Sequence, residues 1–263
     1  MAIRVEARNV VKRYPRFTLT VERLTAETGI HVLVGPNGSG KTVLLRLLAG
    51  VARPSQGRIE YVIDGERLGA DRVTGMVGLV GSGVSLPNWP VARLISYFLD
   101  IPLGEAARLA REYVLEGYEW KKYEELSSGY KRRVQVAIAL ERRSKILLLD
   151  EPFINVDSEY IGFLEEHLIR MAGEKLIVVA THVPSRLLEH NLILIRDGQI
   201  VFTGRIPNLL EEIVTVEADR EVSLHEVLNR CGVRGRIRIT PLQEALFRLA
   251  SRYGGAAAGE AGR

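Results

Sequence analysis

The 263-residue sequence predicts an α/β protein: a mostly parallel sheet with helices on its faces, interrupted by a helical subdomain. Two observations predict it. Short apolar runs of strand length, at residues 30–34, 146–149, 176–180 and 192–195, alternate with longer segments that are apolar at helical spacing. Between Pro87 and Leu140 the strand-like runs vanish and only helical patterns remain.

The elements follow in order. Residues 3–8 and 17–21 read as strands and are expected to pair antiparallel at the N-terminus. Residues 30–34 form an apolar run that ends at Gly35, as a buried strand feeding a loop does. In residues 41–49, Val43, Leu44, Leu47 and Leu48 recur at helical spacing, and Gly50 is the expected stop. Strands are expected at 58–62 and 76–80, then helices at 91–99, 104–116 and 130–140. Strand patterns return at 146–149, 176–180, 192–195 and 199–202, with a helix over 158–171. Beyond Pro207 the patterns at 213–217, 223–231, 235–239 and 241–253 suggest a small α+β appendage, and 254–263 is Gly/Ala-rich and expected to be disordered. The expected division is 1–206 for the main domain (helical subdomain about 87–140), 207–253 for the appendage and 254–263 for the tail.

Composition narrows the class. Hydrophobic residues at 46% and charged residues at 26% suit a soluble domain with its own core. The net charge of +4 is mild, and the only basic run is Lys131-Arg132-Arg133, so charge does not call for nucleic acid. A weak preference for an anionic membrane surface is compatible with it. The single cysteine, Cys231, forms no internal disulfide and suits a reducing cytosol. No stretch approaches the roughly 20 apolar residues of a membrane-spanning helix, and the N-terminus alternates like a strand. The expectation is a cytoplasmic chain whose membrane role, if any, runs through a partner.

Gly35-Pro36-Asn37-Gly38-Ser39-Gly40-Lys41-Thr42 fits the phosphate-loop pattern G-x-x-x-x-G-K-[ST]. The glycines let backbone N–H groups close around phosphate oxygens. Lys41 reaches the β- and γ-phosphates, the Thr42 hydroxyl ligates Mg²⁺, and the following helix adds its N-terminal dipole. The four fixed positions recur by chance in about one chain in a hundred of this size. Here an apolar strand precedes the loop and an apolar-striped helix, beginning with Val43, follows it, which is the context the motif requires. The sheet is therefore expected to be that of a P-loop NTPase binding ATP with Mg²⁺.

Ile146-Leu147-Leu148-Leu149-Asp150-Glu151 is a buried-strand run ending in two acids. Asp150 at the strand end suits Mg²⁺, and Glu151 suits a general base for the attacking water. Their place at the carboxyl end of a parallel strand agrees with where open α/β sheets bind ligands. Without the phosphate loop, the pair reads equally as a solvated turn before Pro152.

With these motifs in order, the sequence resembles the ATP-binding-cassette (ABC) ATPases. Leu126-Ser127-Ser128-Gly129-Tyr130 resembles the family's LSGGQ signature, Thr181-His182 its switch histidine and Asn155-Val156-Asp157 its D-loop. Tyr14 stands where the family has an aromatic that stacks on adenine. The match runs from about residue 3 to residue 204. The resemblance implies that Ser127, Gly129 and Asp157 face the nucleotide of a second cassette in a head-to-tail dimer, and that His182 hydrogen-bonds the γ-phosphate beside Glu151. Taken alone, Ser127 reads as the N-cap of a helix and Tyr14 as a packing residue.

Two departures stand out. Ser82 takes the place of the Q-loop glutamine, a shorter group for a metal-bound water, and Ser128 and Tyr130 replace signature residues. The run Lys131-Arg132-Arg133 and the stretch 240–249 resemble the branch that powers exporters. The resemblance implies an ATP-hydrolysing subunit on the cytoplasmic face of the membrane, working with a separate permease and a second cassette, identical or paralogous, in the export direction. Trp89 reads as a permease contact or as subdomain core. The alternatives are a permease-free ATPase, such as the iron–sulfur assembly type, and a weakly hydrolysing regulatory cassette.

Overall fold

A computed structural model describes residues 2–81, 83–182 and 186–206, together with Leu246. The chain begins with β1 (Ile3–Tyr14) and β2 (Phe17–Glu27), and β3 (Gly29–Val34) leads through the glycine loop into α1 (Lys41–Leu48). β4 (Gln56–Ile63) and β5 (Glu66–Leu68) form a hairpin, followed by short α2 (Ala70–Val73) and β6 (Val77–Val80). The helices α3 (Val91–Leu99), α4 (Leu103–Glu112) and α5 (Ser128–Glu141) precede β7 (Ile146–Asp150). α6 (Ser158–Met171) joins β7 to β8 (Leu176–Ala180), and β9 (Asn191–Arg196) and β10 (Gln199–Gly204) complete the described strands.

These strands form one ten-stranded sheet in the order β5-β4-β1-β2-β10-β9-β3-β8-β7-β6. Strands β9, β3, β8, β7 and β6 are parallel to one another. β1, β2, β4 and β5 pair antiparallel, as expected for the N-terminal strands. The parallel strands are apolar along their whole length because both faces are covered. Val32, Val34, Leu147, Leu149, Ile177 and Val179 pack on the side of α3, α5 and α6. Their sequence neighbours Leu33, Ile146, Leu148, Val178 and Ala180 pack on the other side, with α1 and the antiparallel strands. That alternation is the period-2 geometry of a strand.

Three of the differences from expectation have a clear physical reason. β1 runs on to Tyr14 because a bulge between Arg8 and Val11, with Asn9 at φ 50°, lets the strand change register without ending. The β4–β5 hairpin turns at Asp64-Gly65, both with positive φ, a turn signal present in the sequence. α4 stops at Glu112 rather than Glu116, since Val114 adopts φ 57° and Tyr113 and Leu115 turn into the core.

The appendage and tail expected over 207–263 lie outside the described residues, apart from Leu246. That residue is fully buried in the same cluster as α3, α5 and α6. Among the described residues, no helix is long and apolar enough to cross a membrane.

Leu246→Ala is expected to lower stability by about 2–5 kcal/mol, the usual range for truncating a buried leucine. Urea unfolding of the full chain measures it, and a loss under about 0.5 kcal/mol contradicts the burial.

Candidate functional site

The glycine loop is shaped by close approaches that exclude side chains. A Cβ on Gly35 would lie 2.2 Å from the Ile195 carbonyl oxygen of β9, so the loop can cross the strand ends only as glycine. At Gly40, φ is 107° and Phe17 fills the space where a side chain would begin. α1 starts immediately afterwards with no acidic residue in its first turn and no side-chain cap, leaving its first amides for an anion.

Lys41 is buried, and its Nζ donates to the carbonyl oxygens of Gly35 (2.7 Å) and Pro36 (3.2 Å). It also lies 3.7 Å from Glu151 Oε1. Thr42 Oγ1 donates to Asp150 Oδ2 at 2.7 Å, joining the start of α1 to the end of β7. Glu151 leaves β7 with φ 52°, its amide donating to the Ala180 carbonyl (2.8 Å). On its other side, Glu151 Oε2 lies 2.9 Å from His182 Nδ1.

These groups border a cavity of about 630 Å³ lined by Arg16, Phe17, Pro36, Asn37, Gly38, Gly40, Lys41, Thr42, Val43, Arg132, Asp150, Glu151 and Ile154. Most of the expected phosphate-loop residues are thus brought together with both acids. Gly35 and Ser39 of the loop are not in the lining, and the buried Ser39 hydroxyl has no hydrogen-bond partner among the described residues. His182 meets the cavity through Glu151. Ser82 lies outside the described residues.

Tyr14 is not among the lining residues. It sits at the β1–β2 turn, 41% exposed, with Lys12 Nζ 5.4 Å from its ring centre. The aromatic at the cavity is Phe17, packed under Gly40.

Ser127, Gly129 and Asp157 also lie away from this cavity and have duties within the chain. Ser127 caps α5, its Oγ accepting from the Tyr130 amide at 3.4 Å. Asp157 caps α6, its Oδ1 accepting from the Tyr160 amide at 2.9 Å, and its Oδ2 pairs with Arg133. The amide hydrogen bond and the guanidinium hold its carboxyl below the usual range. Gly129 allows α5 to meet the segment before α6: a Cβ there would lie 2.2 Å from the Asn155 carbonyl oxygen.

The sequence patterns passed over Arg16, Phe17, Arg132 and Ile154 at the cavity, and Arg133 beside it. A basic run on a helix has the same composition whether it faces solvent or a site. For Arg133 a signal was available, since it falls on the same helical face as Val136, Ala137 and Leu140.

The donor set suits a hard cation. A hydroxyl and a carboxylate oxygen converge beside the phosphate loop, which matches the sparse protein ligation of Mg²⁺, whose other ligands are phosphate oxygens and water. Among the described residues no group of three or more His, Cys, Asp or Glu is arranged to hold a metal ion by itself.

Known proteins match this geometry. The protein-family model described as ABC transporter matches residues 24–154. The chain is 30% identical over 207 residues to the uncharacterized ABC transporter ATP-binding protein MJ0412 of Methanocaldococcus jannaschii, covering 74% of this chain and 73% of that protein. It is 31% identical over 235 residues to the molybdate/tungstate import ATP-binding protein WtpC of Thermococcus kodakarensis, covering 85% and 69%. It is 36% identical over 165 residues to the Fe(3+) ions import ATP-binding protein FbpC of Escherichia coli, covering 59% of this chain but only 47% of that one. In fold it is similar to the dimeric cassette MJ0796 in a post-hydrolysis state bound to ADP and Pi (TM-score 0.64, 23% identity, 76% of this chain and 98% of that one). It is also similar to a bacterial Atm1-family ABC exporter with ATP bound (TM-score 0.69, 24% identity, 80% and 40%).

Gly129→Ala is expected to cost about 1–3 kcal/mol, because an added methyl must displace backbone rather than a side-chain tip. Gly162→Ala in α6, where nothing lies within 4 Å of the added carbon, is expected to gain about 0.5–1 kcal/mol from helix propensity. Denaturant unfolding of both variants checks the contrast; equal effects would contradict the close approach at Gly129.

Proposed function

Because the chain belongs to the ABC transporter family of ATP-hydrolysing cassettes, we propose that it is the motor subunit of a transporter, closing on a second cassette when ATP binds and driving a separately folded membrane permease. The observation that carries this reading is the convergence of Lys41, Thr42, Asp150 and Glu151 on one cavity at the end of the parallel strands, with His182 behind Glu151.

The chain's own groups have distinct tasks. The loop amides and Lys41 hold the phosphates, Lys41 exchanging its carbonyl partners for phosphate oxygens. Thr42 and Asp150 hold Mg²⁺, which when bound offsets phosphate charge. Glu151 accepts the proton of the attacking water, and His182 fixes the orientation of that carboxylate through Nδ1. Ser127, Gly129 and Asp157 present the two capped helix starts to the nucleotide of the second cassette. Pro36, Asn37, Gly38 and Val43 shape the walls.

The permease partner is argued from the family and from the named relatives. Where those names state a cargo, they state import of iron(III), molybdate or tungstate. The export expectation rests on the Lys131–Arg133 run and residues 240–249 and gains no support from these relatives. Trp89 packs partly buried against the helical core, with Tyr97 edge-on at 5.4 Å and Arg93 over its ring. A packing role accounts for that geometry.

Lys41→Ala is expected to weaken Mg-ATP binding by about 100-fold or more, since it removes a charge-assisted contact to the phosphates. Fluorescent-nucleotide titration measures it, and unchanged affinity would remove the site assignment. Glu151→Gln is expected to lower turnover by about 10²–10⁴ while leaving ATP bound. The ATP-loaded variant should run as a dimer by light scattering and co-purify a polytopic membrane protein from its source membranes. A dimer with only soluble partners would retain the ATPase and refute the permease, and a variant that stays monomeric with ATP would refute the sandwich.

A further inference from the structure

Arg132 is the cavity's cation at the carboxylate end that no motif explains. It sits on α5, one turn beyond Gly129, and lines the same cavity as Lys41, Asp150 and Glu151. Its Nη1 donates to Gln135 Oε1 at 3.2 Å. Gln135 is itself anchored, its Nε2 donating to the Val84 carbonyl (2.9 Å) and to Tyr123 Oη (2.8 Å). One edge of the guanidinium is thus committed within the chain, and the group is held against the cavity from the α5 side. Burial lowers its pKa from the ordinary arginine value, opposed by the nearby carboxylates of Asp150 and Glu151.

The charge arrangement gives this cation a use. Lys41 pairs with Glu151 at 3.7 Å, so part of its charge is offset within the chain. Both acids border the part of the cavity where the terminal phosphate must lie if Thr42, Asp150 and Glu151 act on it. A triphosphate brings more negative charge to that end than a diphosphate does. A guanidinium there offsets the difference and matches phosphate oxygens with paired N–H donors.

We infer that Arg132 contacts the terminal phosphate of the nucleotide bound to its own chain, making α5 a contributor to the discrimination of triphosphate from diphosphate. The inference rests on the ATP reading above and goes beyond its motif residues. Gln135 is a positioning residue: it fixes the guanidinium and ties it to the loop at Val84.

The test compares affinities for Mg²⁺ with the non-hydrolysable imido analogue of ATP and for Mg-ADP. It uses the full chain at concentrations where size exclusion shows a monomer, so that a second cassette contributes nothing. Arg132→Ala is expected to weaken the triphosphate analogue about 10-fold and ADP less than about 2-fold. Arg132→Lys is expected to recover part of the loss. Gln135→Leu is expected to show a smaller loss with the same selectivity. Equal weakening of both nucleotides, or none, overturns the inference. If circular dichroism shows Arg132→Ala to be unfolded, the Lys and Gln135 variants decide, and an unchanged triphosphate-to-diphosphate ratio in both overturns it. Wild-type protein that binds neither nucleotide would instead overturn the ATP reading itself.

Discussion

The site depends on the parallel register of β3, β8 and β7. Leu33 of β3 and Asp150 of β7 both stand opposite Ala180 at the end of β8. The Thr181 amide donates to the Leu33 carbonyl, and the Glu151 amide donates to the Ala180 carbonyl. One rung of the sheet therefore sets the starting points of the glycine loop, the acid pair and the histidine. A one-residue slip of β7 would turn Asp150 to the opposite face and break its contact with Thr42. That slip is opposed by Leu147 and Leu149 on one face and by Ile146 and Leu148 on the other, all of them buried. The apolar packing of both faces is what makes the chemistry of the edge reproducible.

The same double burial explains why so much was legible. Strands covered on both sides must be apolar throughout, so β3, β7, β8 and β9 stand out as runs. Phosphate-loop and acid-pair chemistry was legible because it demands particular residues at fixed spacing. What escaped were features set by tertiary contact. The bulge at Asn9 hid the full length of β1. The turn at Val114 came from the burial of Tyr113 and Leu115 rather than from a breaker residue. In the sequence Arg132 stood only as part of the basic run 131–133, and the placement of α5 puts it at the cavity. Tyr14, which the resemblance places against the adenine, sits outside this lining with its ring exposed at the β1–β2 turn.

Ligand entry exchanges contacts more than it adds them. Lys41 is already bonded to two loop carbonyls, and Thr42 to Asp150. In the proposed ATP complex, phosphate and a metal ion would take over these donors and acceptors, so the neutral hydrogen bonds would nearly cancel. On the proposed reading the surplus comes from charge: the first amides of α1, Lys41 and the arginine on α5 against the phosphates, with the acids offset by the cation they would help to hold. Such a balance is sensitive to each fixed charge at the cavity.

The two partner-facing segments are joined before any partner arrives. Gly129 brings the start of α5 against the Asn155 carbonyl, and Arg133 pairs with Asp157 at the start of α6. Arg133 is buried and also donates to the Val114 carbonyl at 3.1 Å, so the α4–α5 connection, α5 and the start of α6 share one guanidinium. A surface held in this way loses little side-chain entropy on docking. Gly129, Arg133 and Asp157 therefore lock the two helix starts together within the chain. For the second cassette proposed above, the ordering cost of that geometry is met by folding.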